Sequence, residues 1–171
     1  MTRTYHYTGV AEHARLDGEL PPREAVTGPD AVRRWVRGVY ASGPTPFTIT
    51  ATFAVTETGE LWIADRHSEH VQCARGEPVL SAGEITFEID RSGVSVSQVT
   101  NQSTGYCPEP ESWPAVAAAL DRAGLAHPGY WTTAFLFRRC PACGMTNIVK
   151  DNWFECGVCD TELPVVYNFG I

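Results

Sequence analysis

The chain has 171 residues, 43% of them hydrophobic, with five tryptophans, so it can bury one sizeable core and has no composition of extended disorder. Thirteen basic groups face twenty acidic ones, for a net charge of −7. That balance counts against nucleic acid as a partner, because such binding draws most of its affinity from Lys and Arg neutralising phosphates. No apolar run approaches bilayer length, and residues 1–9 lack a basic start followed by an apolar stretch, so a reducing cytoplasm and no membrane contact are the expectation.

Taken in order, Thr4-Tyr5-His6-Tyr7-Thr8 alternates in a way that suits a short strand. Residues 11–29, with Gly18, Pro21, Pro22 and Gly28, read as a surface excursion. Pro29 and Asp30 open a helix over about 30–40, on which Val32, Trp35, Val36, Val39 and Tyr40 recur at helical spacing. It is expected to stop at Ser42-Gly43-Pro44. Arg33, Arg34 and Arg37 share another face, which reads as solvated, with an anion or acidic partner as the alternative.

From Phe47 to Val55 apolar residues alternate with threonine, a strand with one face inward, and Thr56-Glu57-Thr58-Gly59 reverses the chain into Leu61-Trp62-Ile63-Ala64. Ile85 to Ile89 and Val94 to Val99 form a second hairpin around Arg91-Ser92-Gly93, and Val71 to Ala74 could add a strand between the two. Two hairpins in succession predict an antiparallel meander, covered on one face by helices, hence an α+β fold. Residues 101–108 read as a loop. Ser112 is placed as the N-cap of a second helix carrying Trp113, Val116, Ala117, Leu120 and Ala123, and Trp131 to Phe137 as a further strand. The tryptophans are assigned mainly to the core.

The sharpest signal is Cys140-Pro141-Ala142-Cys143-Gly144, then, after twelve residues, Cys156-Gly157-Val158-Cys159-Asp160. Two C-x-x-C turns place two sulfurs each toward a single ion, and four sulfurs fill a tetrahedral site without leaving an open position. In a reducing compartment the pairing argues for coordination rather than disulfides. The segment resembles the zinc ribbon family, whose cysteine turns sit at the ends of small hairpins. The resemblance implies a structural zinc ion held by Cys140, Cys143, Cys156 and Cys159 and says little about activity; iron, as in rubredoxins with similar turns, is the alternative metal. Asn147 to Lys150 and Trp153 to Glu155 would be the hairpin arms, Asp151-Asn152 the reversal, and the apolar tail 163–169 would return to the sheet. Because strand 131–137 runs straight into the first cysteine turn, residues 1–137 are read as an α+β domain and 138–171 as a zinc ribbon rigidly attached to it.

Two further clusters carry chemistry. His67, His70 and Cys73, with Asp65 nearby, could form a second metal site or a nucleophile and base, against surface histidines and a buried small thiol. Asn101 and Cys107 flank a polar loop suited to contacting a ligand or partner, and Pro108 is expected to hold the Cys107 backbone extended and present its sulfur. With no nucleophile elbow, phosphate loop or H-E-x-x-H, the favoured reading is a non-catalytic, zinc-containing binding or regulatory protein that contacts a protein or small-molecule ligand. An enzyme using His67, His70, Cys73 or Cys107 is the alternative, and a nucleic-acid-binding ribbon protein the second.

Overall fold

In a computed structural model, which describes residues 3–40 and 47–170, the chain forms a five-stranded antiparallel sheet, three helices and a two-stranded C-terminal hairpin. The elements are β1 (Arg23–Ala25), α1 (Pro29–Val39), β2 (Phe47–Thr56), β3 (Leu61–Asp65), α2 (His70–Cys73), β4 (Val79–Ile89), β5 (Val94–Thr100), α3 (Trp113–Arg122), β6 (Leu136–Arg139) and β7 (Thr146–Val149). A 3-10 turn at Pro110–Ser112 leads into α3. The α+β class and the antiparallel sheet are as the alternation predicts. Among the described residues no helix is long and apolar enough to cross a membrane.

The strand order, β1-β3-β2-β4-β5, is not that of a simple meander. The two hairpins join through β2 and β4, which pair along nearly their whole length from Phe47↔Ile89 to Thr56↔Val79. The connection from β3 to β4 must therefore cross back over β2, and α2 lies within it. Val71, Cys73 and Ala74 of that crossover are buried against Ala54, Ala64 and Ala82, small side chains that let a helical turn approach the sheet closely. This is why 71–74 is helical rather than an intervening strand.

The crossover, with Tyr5 and Tyr106, covers one face of the sheet, while α1 and α3 cover the other through Val32, Trp35, Val116 and Leu120 against Phe53, Ile63, Ile85 and Phe87. Both faces are covered, where helices on a single face were expected. The change is visible along β2: Thr48 to Ala51 alternates exposure with burial, and Ala51 to Val55 is buried on both sides.

Smaller departures have local causes. The excursion 11–29 contributes β1, whose three residues pair with Trp62 to Ala64. The N-terminal strand reduces to one bridge between Tyr5 and Val79. Helix α1 ends at Val39, and the stop expected at Ser42-Gly43-Pro44 lies outside the described residues. On its polar face Arg33 donates to the Asp90 carbonyl at 2.8 Å and Arg34 pairs with Glu24. Ser112 stands at the N-cap position of α3 as expected but makes no side-chain capping bond; its hydroxyl is buried 2.9 Å from that of Ser81. Strand β6 begins only at Leu136, since 131–135 runs beside the end of β5, where Thr132 bonds Val99. The tail returns to the layer over the sheet through Tyr167, edge-on to Tyr5, but adds no strand: Leu163 packs under the cysteines and Phe169 against Cys107 and Phe137.

Candidate metal centre

Strands β6 and β7 pair in the register Leu136↔Val149 to Arg139↔Thr146, and the first cysteine turn closes that hairpin. Within it the Cys140 N–H bonds the Met145 carbonyl at 2.8 Å and the Gly144 N–H bonds the Cys140 carbonyl at 2.9 Å. The second turn repeats the pattern, with Cys156 N–H to Thr161 carbonyl at 2.8 Å and Asp160 N–H to Cys156 carbonyl at 3.0 Å. Each turn ends on a left-handed residue, Gly144 at φ 75° and Asp160 at φ 58°. The reversal at Asp151-Asn152 is where the sequence places it, both residues having positive φ, although only Lys150↔Trp153 pairs beyond it. Trp153 is 67% exposed and so is not core.

All four sulfurs lie within 4.8 Å of one another, and among the described residues this is the one group of three or more His, Cys, Asp or Glu that could hold a metal ion. Two of the pairs cross between the turns, Cys140 to Cys159 at 3.5 Å and Cys143 to Cys156 at 3.6 Å. Cys140 and Cys156 are buried over Leu163, Val149 and Phe154, while Cys143 and Cys159 face outward. Backbone N–H groups are turned to the inner sulfurs, led at Cys140 by the Cys143 amide, which lowers that thiol below its ordinary value. For Cys156 burial acts upward, but the Val158 and Cys159 amides and the Asn147 side chain outweigh it and bring the thiol down to about 6. Donors aimed at sulfur favour the thiolate, the form that ligates a metal.

Asn147, read from the sequence only as a strand residue, ties the two turns together. Its carboxamide accepts from the Gly157 N–H at 3.0 Å and donates to the Met145 carbonyl at 3.0 Å and the Cys156 sulfur at 3.5 Å. Two more anchors escaped the sequence reading. Arg138, nearly fully buried, places Nη1 2.7 Å from Glu109 Oε1 and also donates to the Val165 carbonyl. Asn168 acts as a substitute strand beside β6, accepting from the Arg139 N–H at 2.9 Å and donating to the Arg139 carbonyl at 2.7 Å. Nothing in the spacing of these residues signals such roles, because their partners are 29 positions away.

The other candidate residues are dispersed among separate internal bonds. His67 is exposed, its N–H bonded to Asp65 Oδ1 at 2.9 Å. His70 places Nε2 3.0 Å from the Gly83 carbonyl, which can only accept, so Nε2 carries the proton; desolvation pushes its pKa down to about 4. Cys73 is buried with its sulfur 3.7 Å from the Trp62 carbonyl, and burial pushes the thiol up to about 12. Asn101 is fully buried and holds the 101–107 loop against 131–135 through bonds to Pro108 and to both backbone groups of Phe135. Cys107 is not extended: its φ is 48°, its N–H bonds the Ser103 carbonyl at 2.7 Å, and its thiol is buried over Thr104 and pushed up to about 12.

Comparison of the chain with protein-family models, with curated proteins and with solved structures gave no significant match.

Proposed function

We propose that the four cysteines hold one structural zinc ion and that the protein is a non-catalytic binding or regulatory module. The observation that carries the reading is the sulfur geometry. Zinc–sulfur bonds of about 2.3 Å in a regular tetrahedron set sulfurs about 3.8 Å apart; the two pairs that cross between the turns stand at 3.5 and 3.6 Å, and all four sulfurs lie within 4.8 Å of one another. Bound there, zinc supplies cross-linking of the two turns, with its four positions filled by protein.

The non-catalytic reading is supported by the state of the remaining nucleophile candidates. Cys73 and Cys107 are buried thiols held far from the thiolate form, and each sulfur lies against a different backbone carbonyl. The His70 ring is bonded to the Gly83 carbonyl, and His67 is exposed, with its backbone N–H rather than its ring bonded to Asp65. For the domains, the proposal is that 1–137 and 138–171 move as one unit, since the Glu109–Arg138 pair and the packing of Phe169 on Cys107 join them. A groove of about 830 Å³ along that seam, lined by Tyr5, Glu109, Arg138 and Tyr167 among others, offers room for a protein segment or small ligand.

Cobalt substitution tests the closed site. The expected result is a tetrahedral four-sulfur spectrum that added azide or cyanide leaves unchanged. A spectrum that shifts with either ion would show an open coordination position and overturn the structural assignment.

A further inference from the structure

A second cleft, of about 400 Å³, opens where the N-terminal segment, the 103–107 loop and the first cysteine turn meet; Tyr7, Thr8, Thr104, Gly105, Arg139 and Thr146 are among its lining. Arg139 is half-buried there, its guanidinium carbon 5.3 Å from the centre of the Phe169 ring. One side-chain hydrogen bond holds it among the described residues, from Nη2 to the Thr8 carbonyl at 3.1 Å. Its Nε is sealed from solvent and has no hydrogen-bond partner among them. No carboxylate among the described residues lies within ion-pair distance of it. The adjacent Arg138, by contrast, is fully occupied by Glu109, Val165 and Phe137.

A guanidinium keeps its charge at any ordinary pH and carries five donors in a planar fork. Partly desolvated and paired with only one neutral acceptor, it is short of counter-charge. The carboxylate that lines the cleft, Glu69, is turned to His13 at 3.4 Å. The remaining walls near Arg139 are formed by Thr104, Gly105, Gly144 and Thr146, small residues of which the two threonines carry hydroxyls able to donate, while the Gly144 N–H is already bonded to the Cys140 carbonyl.

We propose that this cleft binds a small oxyanion, a carboxylate or phosphate group, against Arg139. The single bond to Thr8 lets the side chain turn a donor edge toward such a group, and the Arg fork matches two of its oxygens at once. The site gives the small-ligand side of the proposed binding function a chemical class. It does not require the metal reading to hold, because every contact it uses comes from protein.

The test is an amide-resolved NMR titration of the full chain as purified. Inorganic phosphate and malonate are added in separate arms, against chloride at matched ionic strength, with metal content measured on the same sample. The expected result is saturable shifts at Thr8, Gly105, Gly144 and Thr146 in at least one arm, and affinity at least tenfold weaker in Arg139→Lys, which keeps the charge but loses the fork. A response to phosphate alone assigns a tetrahedral oxyanion, and one to malonate alone assigns a carboxylate. Shifts no different from chloride, saturable shifts confined to other residues, or an Arg139→Lys protein that binds as tightly as the parent would each overturn the proposal. If Arg139→Lys fails to fold, the map on the parent chain alone decides. A metal-free sample that still binds would count against zinc and leave the oxyanion site standing.

Discussion

The Arg138 guanidinium lies against the Glu109 carboxylate, with Nη1 2.7 Å from Oε1 and both side chains almost closed to water. Glu109 stands just before the turn into α3, and Arg138 is the third residue of β6. The pair thus joins the body of the protein to the strand that enters the first cysteine turn.

Breaking such a pair from one side strands a buried charge. Glu109→Leu or Arg138→Met alone is expected to cost about 3–5 kcal/mol, whereas the double substitution should cost clearly less than the sum. Urea denaturation of the three variants measures this, and additive losses would show that the two side chains act independently.

The crossover over β2 predicts a pH dependence. His70 is neutral in the folded state with a pKa near 4, against about 6.5 when unfolded. The unfolded chain therefore takes up the proton first. The stabilisation is complete above pH 6.5 and is lost as pH falls toward 4, by up to about 3 kcal/mol. Because acid also protonates the cysteines, the diagnostic quantity is the difference between the parent and His70→Gln. The parent should lose more stability than the variant between pH 7 and pH 4.5; equal losses would contradict the assignment of His70.

The acceptor of the His70 bond belongs to Gly83, whose position admits no side chain. A β-carbon there would stand 1.9 Å from the Thr100 carbonyl oxygen, a backbone atom that cannot swing aside. Gly83→Ala should therefore cost about 3 kcal/mol, near the top of the usual range for overpacking. A melting temperature unchanged from the parent would show that β4 and β5 separate more easily at that point than the packing implies.

In the four-cysteine cluster the two cysteine turns differ in how they meet the same backbone demand. Gly144 takes a left-handed conformation without strain, while Asp160 takes it with a side chain. Asp160→Gly is expected to leave metal affinity intact and change stability by less than about 1 kcal/mol, whereas Gly144→Val should weaken both. Competition with a chromophoric chelator separates the two cases.

Much of this fold was legible because local patterning and tertiary structure agree. The threonine alternation at the start of β2, through Ala51, and the helical spacing of Val32 and Trp35 each mark the face that is buried. The cysteine turns were legible for a different reason: C-x-x-C is a local geometry that needs no tertiary context. What stayed hidden depends on distant pairing. The placement of β4 beside β2 rather than β3 is a choice between two edges that the sequence of neither strand records. The helical turn at 70–73 is set by the crossover, and its four residues are too few to show a period. Cys107 adopts a left-handed backbone against the preference of a residue before proline, because the bonds of the 103–107 turn hold it there. Arg138 read as one of two charged residues beside a cysteine turn, and only the long-range approach of Glu109 makes it an anchor.

Metal content per folded chain is the most direct test of the central claim. Elemental analysis of protein purified without added metal should give one zinc per chain, and Cys156→Ser should lose most of it together with cooperative unfolding of the C-terminal hairpin. Folded protein that contains no metal, with all four thiols reacting freely and its stability unmoved by a strong chelator, would contradict the account.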